Sequence, residues 1–258
     1  MVSRCLTIAT SDAGGGAGIQ ADLKAFAAAG CHGMSALVAL TAQNTVAVTD
    51  VFELPPEFVV AQLDAVFDDI GVDAAKTGML FSRTLIETVA DFLGEHPVPL
   101  VVDPVMVASS GARLLQEDAV ASYLERLLPL ATVVTPNLRE AEVLAGGPAS
   151  AQELAVRIHE LGAPAVVVTG GHGEVPGDIF YDGRELVAIE TERHDVRATH
   201  GSGCTHSATL AAHLARGESL LDAARLAARA ASDAVAHGLA ELGAGEGPVD
   251  VLHVRGAG

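Results

Sequence analysis

Two glycine-bearing segments and one acidic corner hold the side chains best suited to chemistry. The first segment is Asp12-Ala13-Gly14-Gly15-Gly16-Ala17-Gly18, between a predicted strand and a predicted helix. Its glycines permit left-handed backbone and let a ligand approach the main chain closely. The second, His200-Gly201-Ser202-Gly203-Cys204-Thr205, leads into another predicted helix. Small residues there present converging N–H donors and the positive end of the helix dipole. Gly201, Ser202 and Gly203 thus make an anion hole suited to a phosphoryl group in transfer. Cys204 sits at the same helix start, where a thiol pKa is lowered, and could serve as base or hydrogen-bond acceptor for an attacking hydroxyl. A buried cysteine beside a glycine turn explains the same residues equally well. A zinc site of His200, Cys204 and His206 is disfavoured, since structural zinc takes paired ligands at short, standard spacings.

The acidic corner is Asn137-Leu138-Arg139-Glu140. Asn137 and Glu140 have the spacing of a helix capping box, which alone accounts for both. The same geometry would turn them to a crevice where phosphates and a hard cation sit. Mg²⁺ takes few carboxylates and keeps most of its waters, so one Glu near the phosphates suffices. Three predicted strands end in a polar residue and a breaker: Asp103-Pro104, Thr135-Pro136-Asn137 and Thr169-Gly170-Gly171. Ligands of open parallel sheets bind beyond such strand ends. Asp103, Asn137 and Thr169 are therefore expected on one rim, although Pro and Gly also end strands without any ligand.

The elements that must position these residues alternate. Strands are predicted at residues 5–9, 34–40, 72–76, 100–103, 132–135 and 165–168. Residues 46–52 read as an exposed strand or flap, and 179–189 as a hairpin around Asp182-Gly183. Helices are predicted at 19–29, from Pro55-Pro56 through Ile70, and at 84–93, 116–128, 138–144, 151–161, 205–215 and 220–237, the last opened by a Ser219/Asp222 capping box. Short apolar strands alternating with helices predict an α/β fold: a mostly parallel sheet covered on both faces, a three-layer α/β/α arrangement. No linker or repeat interrupts the pattern, so residues 1–258 read as one domain.

Composition excludes several roles. The net charge of −18 repels phosphodiester backbones and anionic lipid, so neither nucleic acid nor a membrane is an expected partner. Apolar runs are too short to cross a bilayer, and the N-terminus reads as strand and loop rather than signal peptide. The three cysteines, Cys5, Cys31 and Cys204, are odd in number and contain no C-x-x-C, which fits a reducing, cytoplasmic setting. Lys24 and Lys76 are the only lysines. An acidic protein that binds a polyanion must then recruit it with backbone donors, a metal or a few cations. Gly16-Ala17-Gly18-Ile19-Gln20-Ala21 fits a loose dinucleotide fingerprint, but no acid follows between Asp22 and Asp50 to hold a ribose, which disfavours a dehydrogenase. No G-x-x-x-x-G-K-[ST] occurs, which excludes a P-loop enzyme.

These segments together resemble one family. Thr7-Ile8-Ala9-Thr10-Ser11-Asp12, the run from Gly15 to Lys24, Thr41-Ala42-Gln43-Asn44-Thr45, Lys76-Thr77-Gly78-Met79-Leu80 and Val102-Asp103-Pro104-Val105-Met106 are similar to hydroxymethylpyrimidine/phosphomethylpyrimidine kinases. Thr135-Pro136-Asn137 with Glu140, Gly170-Gly171-His172 and the segment from His200 to Thr205 continue the match in order. The resemblance implies a ribokinase-like fold. It implies two ATP-dependent phosphorylations, of 4-amino-5-hydroxymethyl-2-methylpyrimidine and of its monophosphate, in thiamine diphosphate synthesis. It assigns Gln43 to the aminopyrimidine, with Asp22, Ala17, Thr41 and Met79 lining that pocket. It gives the anion hole to Gly201, Ser202 and Gly203, and puts Cys204 where sugar kinases carry an Asp base. Asn137, Thr169 and Gly171 would serve the nucleotide phosphates, and Glu140 and Asp103 would serve Mg²⁺. Relatives imply a homodimer. Two positions depart from the family pattern. Thr10 stands where Gly is usual, and Thr169 where Lys is usual before Gly-Gly-His. Without that charge clamp, Mg²⁺ would carry more of the load, and Arg197 is a replacement cation by sequence position. A pyridoxal or pyridoxine kinase and a non-catalytic pyrimidine sensor are the alternative readings.

Overall fold

Along a pleated strand successive side chains point to opposite faces, so a strand buried on both sides reads as continuous apolar sequence. The computed structural model, which describes residues 1–106, 117–170 and 177–254, shows this in every central strand. In β1 (Arg4–Asp12), Leu6 and Ile8 face one core and Cys5 the other. In β5 (Leu100–Val102), Leu100 and Val102 face the first core and Val101 the second; β6 (Val133–Val134) and β7 (Val166–Val168) alternate likewise. With β2 (His32–Gln43), β3 (Val48–Glu53), β4 (Ala74–Thr77), β8 (Gly177–Tyr181) and β9 (Leu186–Glu190) they form a nine-stranded sheet in the order β3-β2-β1-β4-β5-β6-β7-β8-β9. The strands from β2 to β7 in that order pair in parallel, and β3, β8 and β9 are antiparallel additions at the two edges.

Helices cover both faces. The helices α2 (Pro56–Asp69), α3 (Arg83–Glu95), α4 (Glu117–Ser122), α5 (Leu138–Leu144) and α6 (Ala151–Glu160) seal the first core. The second is sealed by α1 (Gly18–Ala28), α7 (Ser202–Ala215) and α8 (Leu220–Ala236). Alanines at 208, 211, 212, 223, 224, 227 and 228 fill much of that second core, so the two closing helices lie close to each other and to the sheet.

Several boundaries differ from the sequence expectation. Of the two readings of residues 46–52, exposed strand or flap, the strand is found, as the edge strand β3 paired with β2 and shifted to Val48–Glu53. The helix expected over 116–128 has only α4 as α-helix; a π-helical turn, Tyr123–Leu127, and a 3₁₀ turn, Leu128–Leu130, follow. Pro129 explains the change, because its ring clashes with the preceding turn and it offers no N–H to the ladder. Asp12 ends β1 rather than opening the loop. The helix expected from Thr205 begins at Ser202, because Gly201 at φ 83° turns the chain straight into it. Ser219 caps α8, but the Asp222 carboxylate accepts from the Ser219 hydroxyl, 2.7 Å away, and not in the expected box. Leu63 of α2 is wholly buried in the first core, far from the strand ends that matter below. Leu63→Ala should cost about 2–5 kcal/mol in urea unfolding; a cost under about 1 kcal/mol would mean that this face collapses around the void.

Candidate active site

The sheet order reverses between β1 and β4, and in open α/β sheets ligands bind beyond the strand ends at such a reversal. Lys76, near the end of β4, is wholly buried there. Its Nζ lies 2.8 and 3.0 Å from the two Asp22 oxygens and 3.4 Å from Asp103 Oδ2. The Thr7 hydroxyl donates to Asp22 at 2.6 Å, and the Ser207 hydroxyl of α7 to Asp103 at 2.8 Å. Burial works against the ammonium charge, but Asp22, the Cys204 sulfur and Asp103 outweigh it and hold Lys76 protonated. Asp22 is thus a buried ion-pair partner, placed beneath the crevice rather than on its lining.

Cys204 lies in the first turn of α7. Its thiol is pushed up to about 12, first by burial and then by Asp22 and Asp103, against the opposing pull of Lys76 and the Gly18 N–H. The lowered thiol expected from a helix start is therefore reversed, because desolvation and two carboxylates outweigh the dipole. Around it the Ser202 N–H donates back to the Thr199 carbonyl at 3.1 Å, while the N–H groups of Gly203 and Cys204 have no acceptor within the helix ladder. A side chain built at Gly203 would meet nothing within 4 Å, so this helix end opens outward.

The first glycine segment wraps the Asp12 carboxylate. Gly14 N–H donates to Oδ1 at 2.8 Å, and Gly16 and Ala17 donate to Oδ2 at 3.1 and 2.9 Å. His200 Nε2 reaches the same Oδ2 at 3.1 Å. The His200 contact and the backbone donors hold Asp12 below the ordinary carboxylate range, although burial opposes them. Beside this loop, the Thr41 hydroxyl is 3.0 Å from the Ser11 carbonyl and 3.1 Å from Gln43 Oε1. It has one proton for two acceptors, so the half-buried Gln43 amide is free to exchange that contact for another. Met79 is buried on the β4 side, and its carbonyl accepts from the Thr10 hydroxyl at 3.0 Å. Thr10 therefore spends its polar group tying β1 to the Met79 loop. Phe81, two residues on, has φ 68° and is bridged by a Ser82 N–H to Leu80 carbonyl bond of 2.8 Å, a strained turn.

On the opposite rim Asn137 and Glu140 form the full capping box of α5. Glu140 Oε1 also accepts from the Met106 N–H at 3.4 Å. Burial, then repulsion from Asp103, pushes the Glu140 carboxyl up to about 8. Two buried carboxylates that repel each other are a donor set a hard divalent cation fits. Asn137 and Thr169 are bridge partners, joined by a Thr169 N–H to Pro136 carbonyl bond of 2.8 Å. Gly171 lies outside the described residues. Arg197 is exposed, with its carbonyl accepting from Gly247. His200 faces Asp12 and His206 faces Asp178, so neither converges with Cys204 on a zinc site.

The phosphomethylpyrimidine kinase family profile matches residues 12–250. The chain belongs to that family. A hydroxymethylpyrimidine/phosphomethylpyrimidine kinase of Rhizobium meliloti is 48% identical over 261 residues, covering 98% of each chain. Among solved structures, the ADP complex of Bacillus subtilis pyridoxal kinase superposes with a TM-score of 0.91 at 39% identity, covering 99% of both chains. Staphylococcus aureus pyridoxal kinase in complex with AMP-PCP and pyridoxal gives 0.88 at 34% identity, covering 97% of this chain and 94% of that one.

Within this phosphomethylpyrimidine kinase, Gln43, Ala17, Thr41 and Met79 collect on the β1–β2–β4 side of the crevice. The segment from Gly201 to Cys204 closes it from α7, and Asp103, Asn137, Glu140 and Thr169 form the far rim. Lys76, Asp12 and His200 were not assigned roles from sequence. Their partners lie 54 and 188 residues away, beyond the reach of spacing arguments. The scarcity of lysine and the family-like segment from Lys76 to Leu80 were the available signals for Lys76.

Two expectations follow. Lys76→Met leaves Asp22 and Asp103 buried without their cation and should cost about 3–5 kcal/mol. Adding Asp22→Asn should recover part of it in denaturant titrations; a neutral single variant would show that the carboxylates ionise without Lys76. Glu140 is raised from its ordinary 4.5 to about 8. In metal-free protein its contribution is thus fully present below about pH 4.5 and fades as pH rises through about 8. Glu140→Gln keeps the cap and should flatten the stability profile across that window; an unchanged slope would assign it to other groups.

Proposed function

We propose that the chain transfers the γ-phosphoryl group of ATP to the hydroxymethyl oxygen of 4-amino-5-hydroxymethyl-2-methylpyrimidine. A second ATP then phosphorylates the resulting monophosphate, within thiamine diphosphate synthesis. The observation that carries this is the meeting, at the β1/β4 reversal, of the outward-opening α7 start with the Gln43 side of the crevice, in a member of this family. The alignment of acceptor and donor supplies most of the catalysis, since phosphoryl transfer needs positioning and charge stabilisation more than covalent help.

Gln43 offers donor and acceptor to the aminopyrimidine, and Ala17, Thr41 and Met79 shape the space around the ring. The hydroxymethyl oxygen attacks the γ-phosphorus, the bond to the bridging oxygen breaks, and ADP leaves. At the helix start that Gly201 and Ser202 shape, the first-turn N–H groups of Gly203 and Cys204 stabilise the charge on the transferring group. Cys204, held as a thiol, orients the acceptor hydroxyl. In a loose transition state the hydroxyl keeps its proton until late and then passes it to an oxygen of the transferred phosphoryl group, so a strong base is not required. Asn137 and Thr169 hold nucleotide phosphates. Glu140 and Asp103 would hold Mg²⁺, which would supply Lewis-acid neutralisation of phosphate charge. A homodimer is proposed on the family resemblance alone. Among the described residues no helix is long and apolar enough to cross a membrane.

A second reading, phosphorylation of pyridoxal, is favoured by the likeness to the Bacillus and Staphylococcus pyridoxal kinases. Mass spectrometry of reactions with ATP, Mg²⁺ and either acceptor separates the two. Pyrimidine mono- and diphosphate are expected. Turnover of pyridoxal alone would establish the second reading, and pyrimidine binding without product would indicate a sensor.

A further inference from the structure

The loop that borders the pyrimidine side and the helix start that faces the phosphoryl group are far apart in sequence, yet one carboxylate touches both. Asp12 takes three backbone N–H groups from its own loop, those of Gly14, Gly16 and Ala17, and a fourth contact from His200, the residue before Gly201. A carboxylate can only accept, so His200 Nε2 donates. Asp12 and His200 are both buried. The His200 main chain is itself clamped, its N–H to Gly247 at 3.2 Å and its carbonyl to Val249 N–H at 3.1 Å. The two loops also abut directly. A side chain at Gly201 would lie 1.8 Å from the Gly16 carbonyl, and one at Gly16 would lie 2.3 Å from the His200 ring. No covalent link fixes their separation. Among the described residues two directional contacts cross this seam, the imidazole–carboxylate contact and the Gly18 N–H directed at the Cys204 sulfur, and the imidazole–carboxylate contact is the one made between side chains.

We infer that Asp12 and His200 are positioning residues, a strut that keeps the pyrimidine-side loop in register with the anion hole so that acceptor hydroxyl and transferring phosphoryl group stay aligned. The inference rests on the kinase reading above. Neither residue touches the reacting atoms; each acts through the loop it holds. Breaking the strut leaves both half-sites intact and loosens their spacing. The damage therefore falls on turnover and coupling rather than on nucleotide affinity. A misplacement on the order of 1 Å in such a site costs roughly 100-fold in rate.

The test compares wild type, His200→Ala, His200→Gln and Gly16→Ala, all normalised to folded protein by circular dichroism. Initial rates with ATP and hydroxymethylpyrimidine give kcat and both KM values, and ADP formed per phosphorylated pyrimidine gives the coupling. His200→Ala should lose roughly 10- to 100-fold in kcat, with KM for ATP within about threefold and an ADP-to-product ratio above that of wild type. His200→Gln, whose amide can donate to Asp12, should recover most of the rate. Gly16→Ala, which displaces the imidazole from the other side, should resemble His200→Ala. Retention of kcat within about threefold in His200→Ala, an unchanged coupling ratio, or failure of His200→Gln to recover would each overturn the strut. A folded wild type that phosphorylates neither pyrimidine nor pyridoxal overturns the kinase reading, and the strut with it, and is recognised before any variant is compared.

Discussion

A charged ammonium sealed between strands has to be surrounded by opposite charge, and Lys76 draws the whole crevice floor around it. An unpaired ion at that depth would cost several kcal/mol, so the fold is stable only when Asp22 and Asp103 arrive together. Asp22 comes from α1, Asp103 from the turn after β5, and Ser207, which holds Asp103, from α7. Thr7 completes the shell from β1. One buried cation thereby fixes the relative placement of five elements, and the Cys204 sulfur lies within its field. Helix packing in the alanine-filled second core could tolerate small slides; a hydrogen-bonded ion pair at 2.8 Å cannot.

Charge does not balance at this centre. Lys76 faces Asp22 and Asp103, and Asp103 in turn raises Glu140. A phosphate-binding crevice with more buried acid than base, in a chain of net charge −18, cannot hold a polyanion by side-chain cations alone. Thr169 brings no charge to the rim. The remaining devices are backbone donors at a helix start and, in the proposed function, a hard cation that Asp103 and Glu140 would hold. The same excess of acid that works against the polyanion would then favour the ion that offsets it.

The layers were legible in the sequence because short apolar strands and helical periodicity reflect burial directly, and Gly and Pro mark where they stop. Asn137 and Glu140 were readable for the same local reason: a cap is set by a spacing of three. Legibility ended where energy is settled by distant partners. β6 is only two residues long, and Val134 alone is paired with both β5 and β7. Cys204 was correctly placed at a helix start, but the direction of its pKa shift depends on Asp22 and Asp103, which no local pattern brings to it. Asp12 looked like the entrance to a glycine loop. Its role as the acceptor that organises that loop emerges only with His200 folded against it.

The direction found for Cys204 suits an anion hole better than the one expected from the helix dipole alone. A thiolate in the first turn would accept the same N–H groups and the same positive potential that a transferring phosphoryl group requires. It would also repel that group at close range in a crevice already rich in carboxylates. Burial keeps the sulfur protonated against the pull of the nearby Lys76 ammonium toward thiolate, and so leaves the helix start's donors to the substrate's charge. In the proposed reaction the acceptor hydroxyl would then meet a neutral, polarisable partner, able to orient it without competing for the donors. Cys204 would thus act in that reaction by staying neutral, which reserves the helix-start donors for the transferring phosphoryl group.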